Sequence, residues 1–320
     1  MSAESGPAFP AVVGVGASAG GVEALIAFAR ELPLDLRAPV LIVLHLAPSG
    51  TSVLSGILDR NCPLPVTTAS SGEALAAGHL YVAPPDQHLR VHGGVLHLDR
   101  EPRINGHRPA IDPLFESLAH SWGSHAIGVI LSGTRDDGTL GLARIKANGG
   151  RCYVQDPDEA LYSSMPANAL RAVAVDGTHP AAELADVVAR LADVGLVGED
   201  AGVGRTMSIS ERIPTRLSCP DCGGVLFEDR SDGIERFACS VGHVYGPESL
   251  DVEQARQLES ALWAAVRSLE DRADLLRRMA ARSEARENAR QSEHHRAEAD
   301  EALRRAEMIR SIVAQSRDVA

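Results

Sequence analysis

The apolar runs of this chain are short, rich in β-branched residues and separated by amphipathic stretches, which leaves few folds open to it. Val12-Val13-Gly14-Val15, Val40-Leu41-Ile42-Val43-Leu44-His45-Leu46 and Ala126-Ile127-Gly128-Val129-Ile130-Leu131 have too few polar positions for strands with a wet face, so they read as strands covered on both sides. Gly21 to Leu32, Pro113 to Trp122 and Thr139 to Asn148 carry helical spacing between them. Buried strands alternating with helices predict a doubly wound, mostly parallel α/β sheet. The stretch Leu89-Arg90-Val91-His92-Gly93-Gly94-Val95-Leu96-His97-Leu98 differs: its alternation and Gly-Gly centre predict a β-hairpin insertion.

Chemistry enters at Gly14-Val15-Gly16-Ala17-Ser18-Ala19-Gly20-Gly21, which sets a serine on a glycine-bounded turn between strand and helix. Glycines allow a tight turn and close approach of a substrate, and the helix start aims free N–H groups at an oxyanion. The same letters also satisfy the G-x-G-x-x-G/A dinucleotide fingerprint, which would make the chain an NAD-dependent oxidoreductase. That reading wants an acidic residue at the end of the next strand; the chain has His45 there. A hydroxyl needs a base, and the base needs an orienting group. His45 is the candidate base, and Asp136 or Asp137, in Ser132-Gly133-Thr134-Arg135-Asp136-Asp137-Gly138, is the candidate third member. Adjacent acids after a strand also serve as turn and helix-cap residues.

Six ordered segments carry a resemblance to the chemotaxis receptor methylesterases, the CheB-type protein-glutamate methylesterases: Gly16 to Gly21, Leu44-His45-Leu46, Tyr81-Val82-Ala83-Pro84-Pro85-Asp86, Arg108-Pro109-Ala110-Ile111-Asp112, Ser132 to Gly138, and Ser164-Met165-Pro166. The resemblance runs from about Val12 to Val194. It implies Ser18 as nucleophile, His45 as base and then acid, Asp137 as the orienting carboxylate, and the Thr134 backbone N–H in the oxyanion hole. It further implies a carboxylic ester hydrolase that demethylates glutamate methyl esters on chemoreceptors through an acyl-enzyme, with glutamine deamidation as a related reaction. Asp136 stands where the family usually has asparagine, Thr134 where methionine is more usual, Ala19 where threonine is common and Arg135 where glycine is usual. The resembling segment begins within about a dozen residues of Met1, so the expectation is a catalytic domain without the family's N-terminal receiver domain. The rival from another class is a non-catalytic signalling adaptor that keeps the fold and binds partners through its extension.

The chain has 320 residues, 43 acidic against 31 basic, a length suited to one substantial α/β domain plus extras and a balance that gives no polyanion partner: no nucleic acid is expected. Lys146 is its only lysine. The N-terminus lacks a charged-then-apolar leader, and no apolar run approaches the roughly 20 residues of a membrane span, so a cytoplasmic protein without direct membrane insertion is expected. Its receptor contacts would then lie on cytosolic regions. His88, His92, His97 and His107 gather near the hairpin but lack compact ligand spacing, and its alternating polar positions are expected to face water. Cys62 and Cys152 are isolated and read as inert thiols.

The expected domains are 1–195 catalytic, 196–216 linker, 217–247 a zinc-knuckle module and 248–320 a helical tail. Cys219-Pro220-Asp221-Cys222 followed by Cys239 and His243 makes a closed four-ligand set for a structural zinc; a redox pair is the rival, without the βαβ setting it would want. No cofactor is expected for catalysis. After Pro247 there is neither glycine nor proline, and Leu258, Leu262, Ala265, Leu269, Ala273, Leu276 and Ala280 recur at helical spacing. Ser283 to Asp300 is nearly all polar before Leu303, Ala306, Ile309 and Val313 restore a stripe, so one long helix and a bent pair both fit. Self-association as a coiled coil, or a regulatory partner, are the uses open to that tail.

Overall fold

A computed structural model of the chain describes residues 9–46, 53–194, 213–230 and 233–317. The first compact unit, Met1–Leu250, holds a seven-stranded sheet in the order β3-β4-β2-β1-β7-β8-β9. Its elements run β1 (Val12–Ala17), α1 (Gly21–Arg30), β2 (Val40–Leu44), α2 (Leu54–Asp59), β3 (Val66–Thr68), β4 (Leu80–Val82), β5 (His88–His92), β6 (Val95–Asp99), α3 (Ile111–Trp122), β7 (Ala126–Ile130), α4 (Thr139–Ala147), β8 (Arg151–Gln155), α5 (Ser164–Ala172), β9 (Gly177–His179) and α6 (Ala181–Val194). Every pairing in the large sheet is parallel.

Period-two alternation divides the strand side chains between two cores. Val13, Val15, Val40 and Ile42 pack with Leu25, Phe28, Leu184 and Val188 of α1 and α6 on one face. Val12, Leu41 and Val43 pack with Ile111, Phe115, Leu118 and Leu142 of α3 and α4 on the other. Both faces are therefore dry, which is why these strands lack a polar row. The chain order reverses between β1 and β7, and the cleft outside the carboxyl ends of strands at such a reversal is where open α/β sheets bind ligands.

The glycines of the first turn divide into two jobs, and only one is the conformational freedom expected of them. Gly20 has φ +66° and turns the chain into α1. Gly16 lies within β1, where a Cβ would come 2.5 Å from Ile111 Cγ2; it lets α3 lie close across the sheet. The hairpin β5–β6 forms as expected, with Gly93 and Gly94 both at positive φ in its turn. One expectation for it fails. His88 is fully buried, its Nδ1 accepting from the Ala110 N–H (3.3 Å) and its Nε2 donating to the Pro102 carbonyl (3.2 Å), because the hairpin packs against α3 instead of standing in water.

Residues 195–212, most of the expected linker, lie outside the described residues. β10 (Ile213–Ser218), β11 (Val225–Asp229), β12 (Arg236–Cys239) and β13 (Val244–Tyr245) follow as an antiparallel sheet in that order. Its apolar cluster is small: Cys219, Leu226, Cys239, Tyr245 and Leu250.

The second unit, Asp251–Ala320, is helical, made of the body of α7 (Pro247–Glu284) and α8 (Ala289–Arg317). Of the two tail forms open to the sequence, the bent pair is the one found. Glu287, at φ +58°, breaks the path between the helices. Arg296 pairs with Glu284 near the bend and Arg310 with Glu270 farther out, the antiparallel register of a hairpin. Ala273, Leu276, Ala299 and Ala302 form its seam, so part of the stripe offered to a partner is covered within the chain. No helix among the described residues is long and apolar enough to cross a membrane.

Candidate active site and metal centre

Ser18 follows β1 directly and His45 follows β2, so parallel pairing of these strands brings their ends together; the His45 N–H donates to the Ala17 carbonyl at 3.2 Å. On the other side the Ser18 N–H donates to the Ser132 carbonyl at 2.9 Å, and Ser132 Oγ donates to the Ala19 carbonyl at 2.8 Å, tying the serine turn to the loop after β7. That loop carries Asp137.

The three side chains converge. His45 Nε2 lies 2.6 Å from Asp137 Oδ2, and His45 Nδ1 lies 3.0 Å from Ser18 Oγ. A carboxylate can only accept, so Nε2 carries the proton and Nδ1 is left to accept from the serine hydroxyl. Asp137 is 1% exposed. Its Oδ2 also accepts from the Ile111 N–H at 2.7 Å, and its Oδ1 accepts from Asn105 Nδ2 at 2.9 Å and from the Asp112 N–H at 3.4 Å. Burial alone would raise its pKa; the His45 hydrogen bond, the His45 charge and the Ile111 N–H outweigh that and hold it below the usual carboxylate range. Such an array can take a proton from a hydroxyl and stabilise the resulting imidazolium.

The first turn of α3 supplies two of those N–H donors, and the segments before it are fixed by Arg108, whose Nε and Nη2 donate to Asp86 Oδ1 at 3.0 and 2.6 Å. Two of the quoted motifs thus meet in one ion pair. Beside the serine, a Cβ at Gly133 would come 3.0 Å from Ser18 Cβ, so the Gly133–Thr134 backbone skirts Ser18. Among the described residues the Thr134 N–H has no acceptor. Arg135, where glycine is usual in the resembling family, keeps a left-handed backbone at φ +68°. Asn168 Nδ2 donates to its carbonyl at 2.6 Å, and its N–H donates to Ser164 Oγ at 3.2 Å.

Three contacts escape sequence reasoning, two of them made by residues that it singles out for other roles. His107 stacks on His45, Asn105 holds Asp137, and Asp136 accepts hydrogen bonds from the N–H (3.2 Å) and Oγ of Ser249 in the first turn of α7. The Asn105-Gly106 turn signal could have flagged Asn105, which stands at φ +54°; nothing in the sequence links Asp136 to Ser249. Burial pushes the Asp112 carboxyl well above its usual range, with the Asp137 charge adding to the effect. Burial also carries Asp136 up to about 7 against the opposing Ser249 hydrogen bond.

In the small sheet, the ligand atoms of Cys219, Cys222, Cys239 and His243 all lie within 4.8 Å of one another. Cys222 and Cys239 Sγ are 3.7 Å apart, and His243 Nδ1 lies 3.7 and 3.5 Å from the sulfurs of Cys219 and Cys239. Zinc–sulfur bonds of about 2.3 Å in a tetrahedron put sulfurs roughly 3.7 Å apart, so the donor set fits such an ion. Asp221 Oδ2, which accepts from the Tyr245 hydroxyl at 2.5 Å, lies 3.9 Å from His243 Nε2 and gives the cluster a nearby carboxylate. Cys62 and Cys152 stand apart from both sites, and burial pushes the Cys152 thiol up to about 12.

Residues 13–188 match the family model described as CheB methylesterase. A protein-glutamate methylesterase/protein-glutamine glutaminase 1 of Burkholderia pseudomallei is 38% identical over 186 residues, 57% of this chain and 51% of that protein. The corresponding enzyme 2 of Koribacter versatilis is 35% identical over 175 residues, 52% of this chain and 48% of that protein. A Leptospira interrogans protein provisionally named for the same two activities is 35% identical over 178 residues, 55% of this chain and 92% of its own length. The chain thus spans about half the length of the first two relatives. The crystal structure of the Thermotoga maritima CheB methylesterase catalytic domain superposes with a TM-score of 0.54 at 32% identity, covering 57% of this chain and 98% of that one. With the family model spanning more than half of its residues, the chain belongs to the CheB methylesterase family.

Proposed function

We propose that this protein is a cytoplasmic serine esterase that hydrolyses glutamate methyl esters on the cytosolic regions of chemotaxis-type receptors, with glutamine deamidation as the second reaction its acyl intermediate would serve. The observation that carries this is the hydrogen-bonded line from Ser18 Oγ through His45 to the buried Asp137. As His45 Nδ1 takes the hydroxyl proton, Ser18 Oγ attacks the ester carbonyl carbon, and the oxyanion so formed meets the Thr134 backbone N–H. Collapse breaks the bond to the methoxy oxygen, which leaves as methanol with the proton from Nδ1. Water, deprotonated by His45, then releases the glutamate and restores Ser18. Asp137 keeps the imidazole in one tautomer throughout.

Cys219, Cys222, Cys239 and His243 would hold a structural Zn²⁺. With four protein ligands it leaves no open position, and it would serve to cross-link a module whose apolar cluster is small. Methanol release from methylated receptor membranes tests the catalytic reading. Ser18→Ala and His45→Ala should each lower the rate by about 10⁴-fold or more; a Ser18→Ala protein that turns over like wild type would overturn it.

A further inference from the structure

Asn105 touches both Asp137 and the segment that leads out of the Cys/His sheet. It is buried, and its amide is used at both ends. Nδ2 donates to Asp137 Oδ1 at 2.9 Å and to Asp112 Oδ2 at 3.1 Å, while Oδ1 accepts from the Gly246 N–H at 2.8 Å. The Asn105 backbone N–H donates to the Val244 carbonyl at 2.7 Å, and Ile104 bridges Val244 in parallel. The Gly246 N–H can only donate and the two carboxylates chiefly accept, so the amide has one favourable orientation. Turned over, its oxygen would face two carboxyl groups and its NH₂ would face an N–H.

Val244 follows His243 directly, so the carbonyl that grips Asn105 belongs to the residue next to a candidate metal ligand. A second contact lies alongside. Ser249 holds Asp136, the neighbour of Asp137, and the fit there is close enough that a Cβ on Gly246 would come within 1.9 Å of Asp136 Oδ2. Asp221, between Cys219 and Cys222, faces Arg103 at 3.9 Å. The Cys/His sheet is therefore seated against residues 103–105, and its outgoing segment against Asp136, both next to the carboxylate of the proposed triad.

We propose that Asn105 is a positioning residue for this active site, held in orientation by the β13 segment, so that metal loading at Cys219, Cys222, Cys239 and His243 is transmitted to Asp137 and through it to His45. This rests on reading Ser18, His45 and Asp137 as the triad. The coupling follows from shared hydrogen bonds: losing the metal frees residues 243–246, the amide loses its outer anchor, and Asp137 Oδ1 loses a fixed donor.

The test uses the full chain, zinc-loaded or stripped by a chelator, with two readouts that need no receptor. One is the rate at which a fluorophosphonate labels Ser18, followed by intact mass. The other is the low-field proton resonance of the His45 Nε2–H facing Asp137. Stripping zinc, Cys222→Ser and Asn105→Ala are each expected to slow labelling at least tenfold and to shift or broaden that resonance. Stripping zinc from Asn105→Ala should cost less than a further twofold, because the two changes break one pathway. Gly246→Ala, which wedges the segment from its own side, should reproduce the loss and replaces Asn105→Ala if circular dichroism shows that variant unfolded. The proposal is overturned if stripped protein labels at the loaded rate with its resonance unmoved, or if the losses from Asn105→Ala and from stripping multiply. Labelling that behaves as expected without methanol release would sink the receptor assignment alone. A wild type that resists labelling would sink the triad assignment, with the resonance still reporting on the coupling.

Discussion

The imidazole of His107 lies flat on that of His45, ring centroids 3.7 Å apart and planes 8° from parallel. The stack covers one face of the ring that lies between Ser18 and Asp137, and it restricts that ring's rotation. An aromatic contact of this kind is worth about 1 kcal/mol. His107→Ala is therefore expected to lower kcat about fivefold with little change in KM, while His107→Phe, which keeps a flat cover, should retain most of the activity. Steady-state methanol release separates the two; equal losses in both variants would show that the ring acts by its nitrogens instead.

Asp136 makes stability depend on pH in the opposite sense to Asp137. Burial lifts its carboxyl from an ordinary 3.8 to about 7, so across that interval the folded chain keeps a proton that the unfolded chain releases. Its contribution to stability is complete at acid pH and declines as pH rises through 7. Asp136→Asn still accepts from Ser249 but has no charge to bury. The melting temperature of this variant should exceed that of wild type by more at pH 8 than at pH 5, a gap worth at most a few kcal/mol. Parallel curves for the two proteins would refute the assignment.

Metal analysis of purified protein should find about one zinc per chain, and Cys219→Ser should abolish it. Structural zinc sites of this class contribute on the order of 10 kcal/mol to folding, far more than the Leu226, Tyr245 and Leu250 cluster can replace. Limited proteolysis of the variant is expected to cut within 213–246 while sparing 13–188. A metal-free module that stays protected would count against zinc.

Arg135 adopts φ +68°, a conformation that costs a residue with a Cβ roughly 1–2 kcal/mol relative to glycine. Arg135→Gly should raise the urea midpoint by an amount equivalent to about 1 kcal/mol, provided the Asn168 and Ser164 hydrogen bonds to its backbone persist. A lower midpoint would mean that the guanidinium contributes more than the backbone loses.

What could be read in the sequence follows the range of the forces involved. Buried parallel strands announce themselves by composition, and Ser18, His45 and the Asp136–Asp137 pair sit where those strands end; the choice of Asp137 within that pair came from the family resemblance. The Gly93-Gly94 hairpin was legible for the same local reason. His88 was misjudged because alternation along a strand does not say what packs on its outer face; here α3 does. Gly16 looked like part of a substrate turn because its real constraint, Ile111, lies far away in the chain. Asn105 and the Asp136–Ser249 contact were invisible because each depends on seating one domain element against another, which leaves no periodic trace. The family's customary asparagine at 136 is replaced at the place where α7 needs an acceptor for its first turn.

Strand β1 pairs with β2 on one side and on the other with β7, its residues 12–16 set beside 126–130. A polypeptide emerging from the ribosome must extend past Asp137 before its serine gains either partner of the β7 loop. On the proposed triad, a chain that stops short of Asp137 would lack the carboxylate and the loop that complete the site, so hydrolysis would report only on chains whose central sheet has closed.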